Sequence, residues 1–321
     1  MKIKIKVRRF NPADKEGSVP YIQAYNIEVS EGMTVLDALL KIADEEDPTL
    51  SFRRSCRSGI CGSCAMRING FAKLSCNTQI THEHKRAGEV LIEPLANHAV
   101  IKDLAVDMAP FYKKTEKVTP YLTPQEGGMR EGVSITKEDE AAIDESQGCI
   151  MCACCNSECN ALEIDPHFIA PAALAKAWRF VGDVREDYAR KRLYKLSEEH
   201  GVWDCVRCVH CTEYCPKGVK PLKQIERLRA RAVKEGITEN PGAKHTLSMA
   251  ESVRRIGRLD EAAMTFKTLG FLRSLGMIPF GIKMEMHGKM PFPMIFPQID
   301  GMDEVKKIYE AVEEEGKKKK G

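Results

Sequence analysis

The sequence predicts an α+β chain: a mixed β/α unit, then a helical region, then a helical C-terminal stretch. Three observations carry this. The N-terminus alternates polar and apolar residues with the period of a half-buried strand, residues from Thr136 onward take helical spacing, and the 13 cysteines fall into three tight groups. The 321 residues allow about two domains. Lys and Arg total 49 against 46 Asp and Glu, a formal charge of +3 that argues against a strongly basic nucleic-acid binder or an acidic tail. Hydrophobic residues at 43% suffice for a buried core, and charged residues at 30% suit a soluble globular protein.

Lys2 to Val7 alternates as a strand, and Tyr21 to Val29 is a second, so the polar stretch Asn11 to Pro20 predicts an antiparallel hairpin. Apolar residues at 35, 36, 39, 40, 42 and 43 make a helix face, with Thr34 as N-cap. Ser55 to Ser63, rich in Ser, Gly and Arg, reads as a loop, and Ala65–Asn69 and Val90–Glu93 as short strands. Thr115 to Gly132 holds Pro120, Pro124, Gly127, Gly128 and Gly132, a linker composition. Helices are expected over 137–146, Ala172–Phe180, Arg185–Leu196 and Lys223–Val233. Further on, Ala250–Phe266 reads as amphipathic and Asp303–Glu315 as a helix. Six of the 14 methionines (277, 284, 286, 290, 294, 302) crowd into one Pro- and Gly-containing stretch, which reads as ordinary core or as an adaptable docking surface. The Lys317–Lys320 tail reads as a solvated end. Neither a signal peptide nor a membrane span is expected.

The cysteines carry the chemistry. Four lie between Cys56 and Cys76, five between Cys149 and Cys159, and four between Cys205 and Cys215. A small secreted disulfide scaffold would be shorter and spread them out, so tight C-x-x-C groups read as metal binding in a reducing compartment. Cys56, Cys61, Cys64 and the later Cys76 have the plant-type spacing for a [2Fe–2S] cluster. Gly59 and Gly62 would let the backbone approach the cluster and aim N–H groups at its sulfurs. A zinc site would use two C-x-x-C knuckles, which this spacing does not offer. Arg53, Arg54 and Arg57 either tune potential or form a solvated basic loop.

Cys149, Cys152, Cys155 and Cys159 form a C-x2-C-x2-C-x3-C run, and Cys205, Cys208, Cys211 and Cys215 repeat it before Pro216. In two-cluster ferredoxins the fourth cysteine of each run ligates the other cluster. Cys149, Cys152, Cys155 and Cys215 are therefore assigned to one [4Fe–4S] cluster, and Cys205, Cys208, Cys211 and Cys159 to a second. One cysteine is left, Cys154, expected as an inert buried packing residue. His210 is expected on a helix surface. No dinucleotide fingerprint, P-loop or H-E-x-x-H occurs, so substrate chemistry would belong to a partner and this chain would carry electrons.

These motifs resemble the iron–sulfur subunit of succinate dehydrogenase and fumarate reductase. The likeness covers about residues 1–235: Ser55 to Gly70 with Cys76, Pro94-Leu95, Val100 to Met108 with Phe111-Tyr112, Cys149 to Cys155, Ala170 to Ala172, Arg179, and Cys215 to Gly218. The resemblance implies a β-grasp, plant-type ferredoxin domain (1–112), a linker (113–135), an α-helical ferredoxin domain with two cubane-type clusters (136–237) and a C-terminal partner-docking extension (238–321). It implies a flavoprotein partner with FAD, a quinone of menaquinone type, and a third subunit that is cysteine-rich or membrane-anchoring. The complex would sit peripherally on the cytoplasmic side of the cell membrane, or on the periplasmic side if exported with a signal-bearing partner.

Two departures stand out. The usual member lacks the cysteine at position 208 and holds a [3Fe–4S] cluster there. With Cys208 a [4Fe–4S] cluster is expected, with [3Fe–4S] as the alternative and a lower potential for the four-thiolate form. The family's quinone-site residues are also missing, with Asn160, Ile164 and Val206 in their places. Ala250–Ala263, Lys289–Met294 and Ile299–Ile308 resemble the C-terminal region of the small iron–sulfur subunit of heterodisulfide reductase, which implies the atypical methylmenaquinol:fumarate reductase group. An iron–sulfur subunit of another flavoprotein, such as a thiol-dependent fumarate reductase, is the alternative, and a zinc scaffold a more remote one.

Overall fold

In a computed structural model of the chain, residues 1–13, 19–123, 134–289 and 297–318 are described. They fall into two units, Met1–Glu235 and Gly236–Gly321. In the first, β1 (Lys2–Arg9) and β2 (Tyr21–Glu28) pair antiparallel from Lys2↔Glu28 to Arg9↔Tyr21, the expected hairpin. Helix α1 (Val35–Glu45) opens on a reciprocal cap: Asp37 N donates to Thr34 Oγ1 and Thr34 N to Asp37 Oδ2. β3 (Ala65–Ile68) and β4 (Phe71–Leu74) form a second hairpin. After α2 (Ile80–Ala87), β5 (Val90–Glu93) inserts parallel to β1 and antiparallel to β3, giving the order β2-β1-β5-β3-β4. A small ribbon, β6 (Val100–Lys102) with β7 (Ala105–Val106), and α3 (Ala109–Lys117) complete this region.

The alternation read in β1 is the burial pattern: Ile3, Ile5 and Val7 face Val35, Leu39 and Ile42 of α1 in one core. Each such side chain contributes roughly 1.5–3 kcal/mol by leaving water. Arg9 takes the fourth inward position and is 4% exposed. Its guanidinium donates to Asp103 (2.9 Å), Asp47, Gln23, Thr49 and the Tyr25 hydroxyl. Asp103 also accepts from the backbone N–H of Phe10 and Ser51. This polar knot fixes the segment that leads into the first cysteine loop.

The helical region comprises α4 (Lys137–Gln147), α5 (Cys154–Ser157), α6 (Asn160–Ile164), α7 (Pro171–Val181), α8 (Ala189–Leu196), α9 (His210–Glu213) and α10 (Pro221–Lys234). α7 is central, because its small residues Ala172, Ala173, Ala175 and Ala177 let α4 and α10 pack close. Two expectations are corrected. The helix foreseen from Arg185 begins at Ala189, since Asp183 and Glu186 side chains capture the N–H groups of Arg185 and Tyr188 in local turns. The foreseen linker is packed at its start. α3 runs to Lys117, Val118 is buried, and Arg192, paired with Glu186, donates to the carbonyls of Val118, Thr119 and Tyr121. The rest of that stretch, 124–133, lies outside the described residues.

In the second unit, the stretch that reads as amphipathic over 250–266 is divided between α11 (Pro241–Ile256) and α12 (Glu261–Leu269). Gly257 ends α11 in the left-handed region, and Ile299 and Met302 pack where a side chain would stand. α13 (Phe271–Leu275), α14 (Ile278–Met286) and α15 (Met302–Lys318) follow. Met290 and Met294 lie outside the described residues, as does the end of the lysine tail. Among the described residues, no helix is long and apolar enough to cross a membrane.

Arg9→Met should cost about 3–5 kcal/mol, because it leaves the buried Asp103 and the half-buried Asp47 without their cation. Denaturant midpoints would show it. Burial pushes the Asp47 carboxyl upward, but hydrogen bonds from Thr49, Tyr25 and Arg9 outweigh it and hold the group well below the usual range. That stabilisation is complete above pH ~4 and drains away as pH falls toward the folded value. A midpoint-against-pH series should therefore slope more gently in acid for Arg9→Met than for the parent.

Candidate metal centres

The first cysteine loop leaves the core after Phe52 and returns as β3. Arg57, Gly59 and Gly62 turn it through the left-handed region. The backbone N–H groups of Ile60 and Cys61 lie 3.3 Å from Cys56 Sγ, and that of Ser58 3.5 Å. Cys56 and Ser63 N–H groups point at Cys61 Sγ, and Gly59 N–H at Cys76 Sγ (3.3 Å). These donors, from Ser58 first, bring the Cys56 thiol down to about 6. The Ser63 side chain and the same kind of N–H contact lower Cys61. Cys76 contacts the Cys64 thiol and is pushed up to about 11, chiefly by burial. The fourth cysteine, Cys76, is not on a strand. It sits instead in one 3-10 turn, Ser75–Asn77, just past β4, which swings its side chain back toward the loop.

The second and third groups share one backbone shape. Met151 and Ala153 have φ of 56° and 66°, and Arg207 and Val209, at the matching positions, 58° and 73°. In both, the second left-handed residue opens a four-residue helix that carries the third cysteine, Cys155 or Cys211. A β-branched residue such as Val209 rarely adopts this conformation, and the strain marks a turn fixed by its surroundings. Cys208 occupies the place that Cys152 has in the earlier run.

Each run lends its last cysteine to the other. Cys149, Cys152, Cys155 and Cys215 line one cavity, walled by Ala172, Ala175, Val219 and Pro221. Cys159, Cys205, Cys208 and Cys211 line a second, walled by Ala161, Phe168, Leu222 and Ile225. Among the described residues lining either cavity there is neither carboxylate nor imidazole. Burial pushes Cys149, Cys155 and Cys205 up, Cys159 to about 11 and Cys211 to about 12, with neighbouring thiols adding to it. Four thiols in an apolar enclosure ionise together once a cationic group joins them, so the donor set fits an iron–sulfur cluster in each.

Three further features were not foreseen. Cys154, expected to be inert, is buried with its thiol against Cys152. That thiol and the Cys154 N–H outweigh burial and bring Cys152 down to about 7. Arg229, buried, donates to the carbonyls of Val202, Trp203 and Cys205 and fixes the approach to the third group. A Cβ on Gly62 would stand 2.8 Å from Cys152 Cβ and 2.9 Å from its Cα, so the first loop touches the second run directly. Around that contact Asn97 Nδ2 donates to the carbonyls of Asn156, Ser157 and Cys159, Glu158 accepts from Ala72 N–H, and Phe71 stacks on Tyr214 at 4.7 Å. The only sequence hint of this was Glu158, a charge inside a cysteine run. His210 lines neither cavity and sits near Tyr214, while Ile164 and Val206 are 86% and 63% exposed.

Residues 4–113 match the family described as 2Fe-2S iron-sulfur cluster binding domain, and residues 145–219 the 4Fe-4S dicluster domain. The chain is 40% identical over 227 residues to succinate dehydrogenase [ubiquinone] iron-sulfur subunit 1, mitochondrial, of Oryza sativa subsp. japonica, covering 70% of this chain and 79% of that one. The chain belongs to the succinate dehydrogenase iron–sulfur subunit family. A chain from the Mycobacterium smegmatis Sdh1 complex in the apo form is similar in structure, with a TM-score of 0.62 and 25% identity over 72% of this chain and 97% of that one. As a succinate dehydrogenase iron–sulfur subunit relative, the protein is an iron–sulfur oxidoreductase component whose [2Fe–2S] and [4Fe–4S] domains are the sheet region and the helical region.

Gly62→Ala should cost about 1–3 kcal/mol or more, because a methyl group has no room against Cys152. Gly59→Ala, at a similar φ but facing open space, should cost only the left-handed strain, about 1–2 kcal/mol. Thermal or denaturant midpoints of the two variants check the order.

Proposed function

We propose that this chain is the electron-transfer subunit of a succinate:quinone oxidoreductase or quinol:fumarate reductase, with three clusters between a flavin in a partner and a quinone of menaquinone type. The observation that carries this is the sorting of 12 cysteines into one N–H-lined loop and two four-thiol cavities within one unit. When bound, such clusters take and release one electron each, at potentials set by cluster type, exposure and hydrogen bonds to sulfur. Cys56, Cys61, Cys64 and Cys76 would hold the [2Fe–2S] group, and the loop N–H groups would stabilise negative charge on its sulfurs. Cys149, Cys152, Cys155 and Cys215 would hold one [4Fe–4S] group. Cys159, Cys205, Cys208 and Cys211 would hold the other, while apolar walls exclude water from both.

The sheet order, with β5 parallel to β1 between two hairpins, supports a β-grasp reading of residues 1–112. Residues 113–135 would then connect the two domains, packed at their start by Arg192, with 136–237 the α-helical ferredoxin domain and 238–321 a docking extension. Partners of the family's kind would be a flavoprotein that carries FAD and the dicarboxylate site, and a third, cysteine-rich or membrane-anchoring subunit. The complex would lie peripherally on the membrane. Cys208, together with Asn160, Ile164 and Val206, supports the atypical, methylmenaquinol:fumarate reductase-like group.

Electron paramagnetic resonance of freshly purified anaerobic protein tests the cluster set. The oxidised protein should lack a strong [3Fe–4S] signal. Cys208→Ala should produce one, leaving the [2Fe–2S] signal of the reduced protein unchanged. A strong [3Fe–4S] signal in the unaltered, oxygen-free protein would overturn the four-thiolate assignment.

A further inference from the structure

The three helices α12, α13 and α14 fail to bury their apolar residues. α12 and α14 contain no buried residue, and from Leu269 to Lys289 Ser274 alone is buried. Phe271 and Leu272 are 68% and 82% exposed, and Leu275, Met277, Ile278, Phe280, Ile282 and Met286 are all exposed as well. Phe266, Met277, Ile278, Phe280 and Met284 also line an open apolar groove between α12 and α14. Isolated exposed apolar residues are ordinary, but a contiguous set of this size marks an interaction surface.

The charges say which kind. Between Glu261 and Glu285 there is no acidic residue, and of the three cations there Lys267 pairs with Glu251 while Arg273 and Lys283 are exposed. Arg273 and Lys283 bracket an uncharged run, Ser274–Ile282, that crosses the turn between α13 and α14. Nine residues are far too few to span a bilayer, and an apolar tip framed by cations suits the boundary between acyl chains and anionic headgroups. A protein partner would need acidic groups placed to meet both cations, whereas a bilayer spreads its negative charge over the whole face. An anionic lipid surface attracts each of them.

We infer that the α13–α14 segment inserts its apolar tip, the run Ser274–Ile282 with Phe271 and Leu272 beyond Arg273, into the surface of an anionic lipid bilayer, so that this chain touches the membrane itself as well as through any anchoring subunit. The inference stands on the second unit alone and is independent of the cluster assignments.

The test is flotation of the full chain, purified with its clusters, on vesicles of equal parts phosphatidylcholine and phosphatidylglycerol. Binding is expected there, weaker by on the order of tenfold or more on phosphatidylcholine alone, and reduced by salt. Leu272→Asp with Phe280→Asp should abolish it without changing the visible absorbance of the clusters. Ile308→Ser with Val312→Ser, which removes two equally exposed apolar residues from α15, should leave it intact. No flotation on the mixed vesicles would overturn the proposal. So would flotation indifferent to Leu272→Asp with Phe280→Asp, or self-association through this face without vesicle binding.

Discussion

The architecture of the first unit turns on one close approach. The main chain at Gly62 lies against Cys152 with no space for even a methyl group between them. Two metal-binding segments 90 residues apart in sequence are thereby held in contact, the first from the sheet region and the second from the helices. The surrounding contacts keep that approach in register: three carbonyls of the second run on Asn97, Glu158 on Ala72, and the Phe71–Tyr214 stack. The apolar core is continuous across the same boundary, with Leu36, Ala72, Leu74 and Phe111 packing beside Ala153, Cys155 and Ala172. The sheet and helical regions therefore behave as one body, and electron carriers seated in them keep a fixed spacing.

The centres are stabilised by two different physical means. The first loop is exposed at Cys56, and a row of backbone N–H groups supplies the compensating dipoles there. The later cavities are apolar, and burial raises most of their thiols. Cys152 is instead lowered, because Cys154 lends it both a thiol and an N–H. The three environments thus differ in exposure and hydrogen bonding, two of the variables that set cluster potential.

Much of the local structure was legible in the sequence. The alternation of Lys2–Val7, the Thr34 cap and the doubled cysteine spacing each reflect short-range rules, and each is found where it was read. Long-range features were not legible. Nothing local in β1 says that Arg9 will be buried, since its partners lie at positions 23, 25, 47, 49 and 103. The composition of residues 115–121 resembles a free linker, yet the carbonyls there are held by Arg192, some seventy residues on. The break at Gly257 was hidden because the amphipathic pattern continues across it.

The exchange of last cysteines between the two runs has a consequence for biogenesis. Cys215 completes the cavity of the 149–155 run, and Cys159 that of the 205–211 run. A chain emerging from the ribosome as far as residue 204 has neither enclosure, although nine of its thirteen cysteines are already made. Neither set of four can close until the two runs meet. The two cavities are therefore interlocked through the fold, each depending on a cysteine that the other run carries.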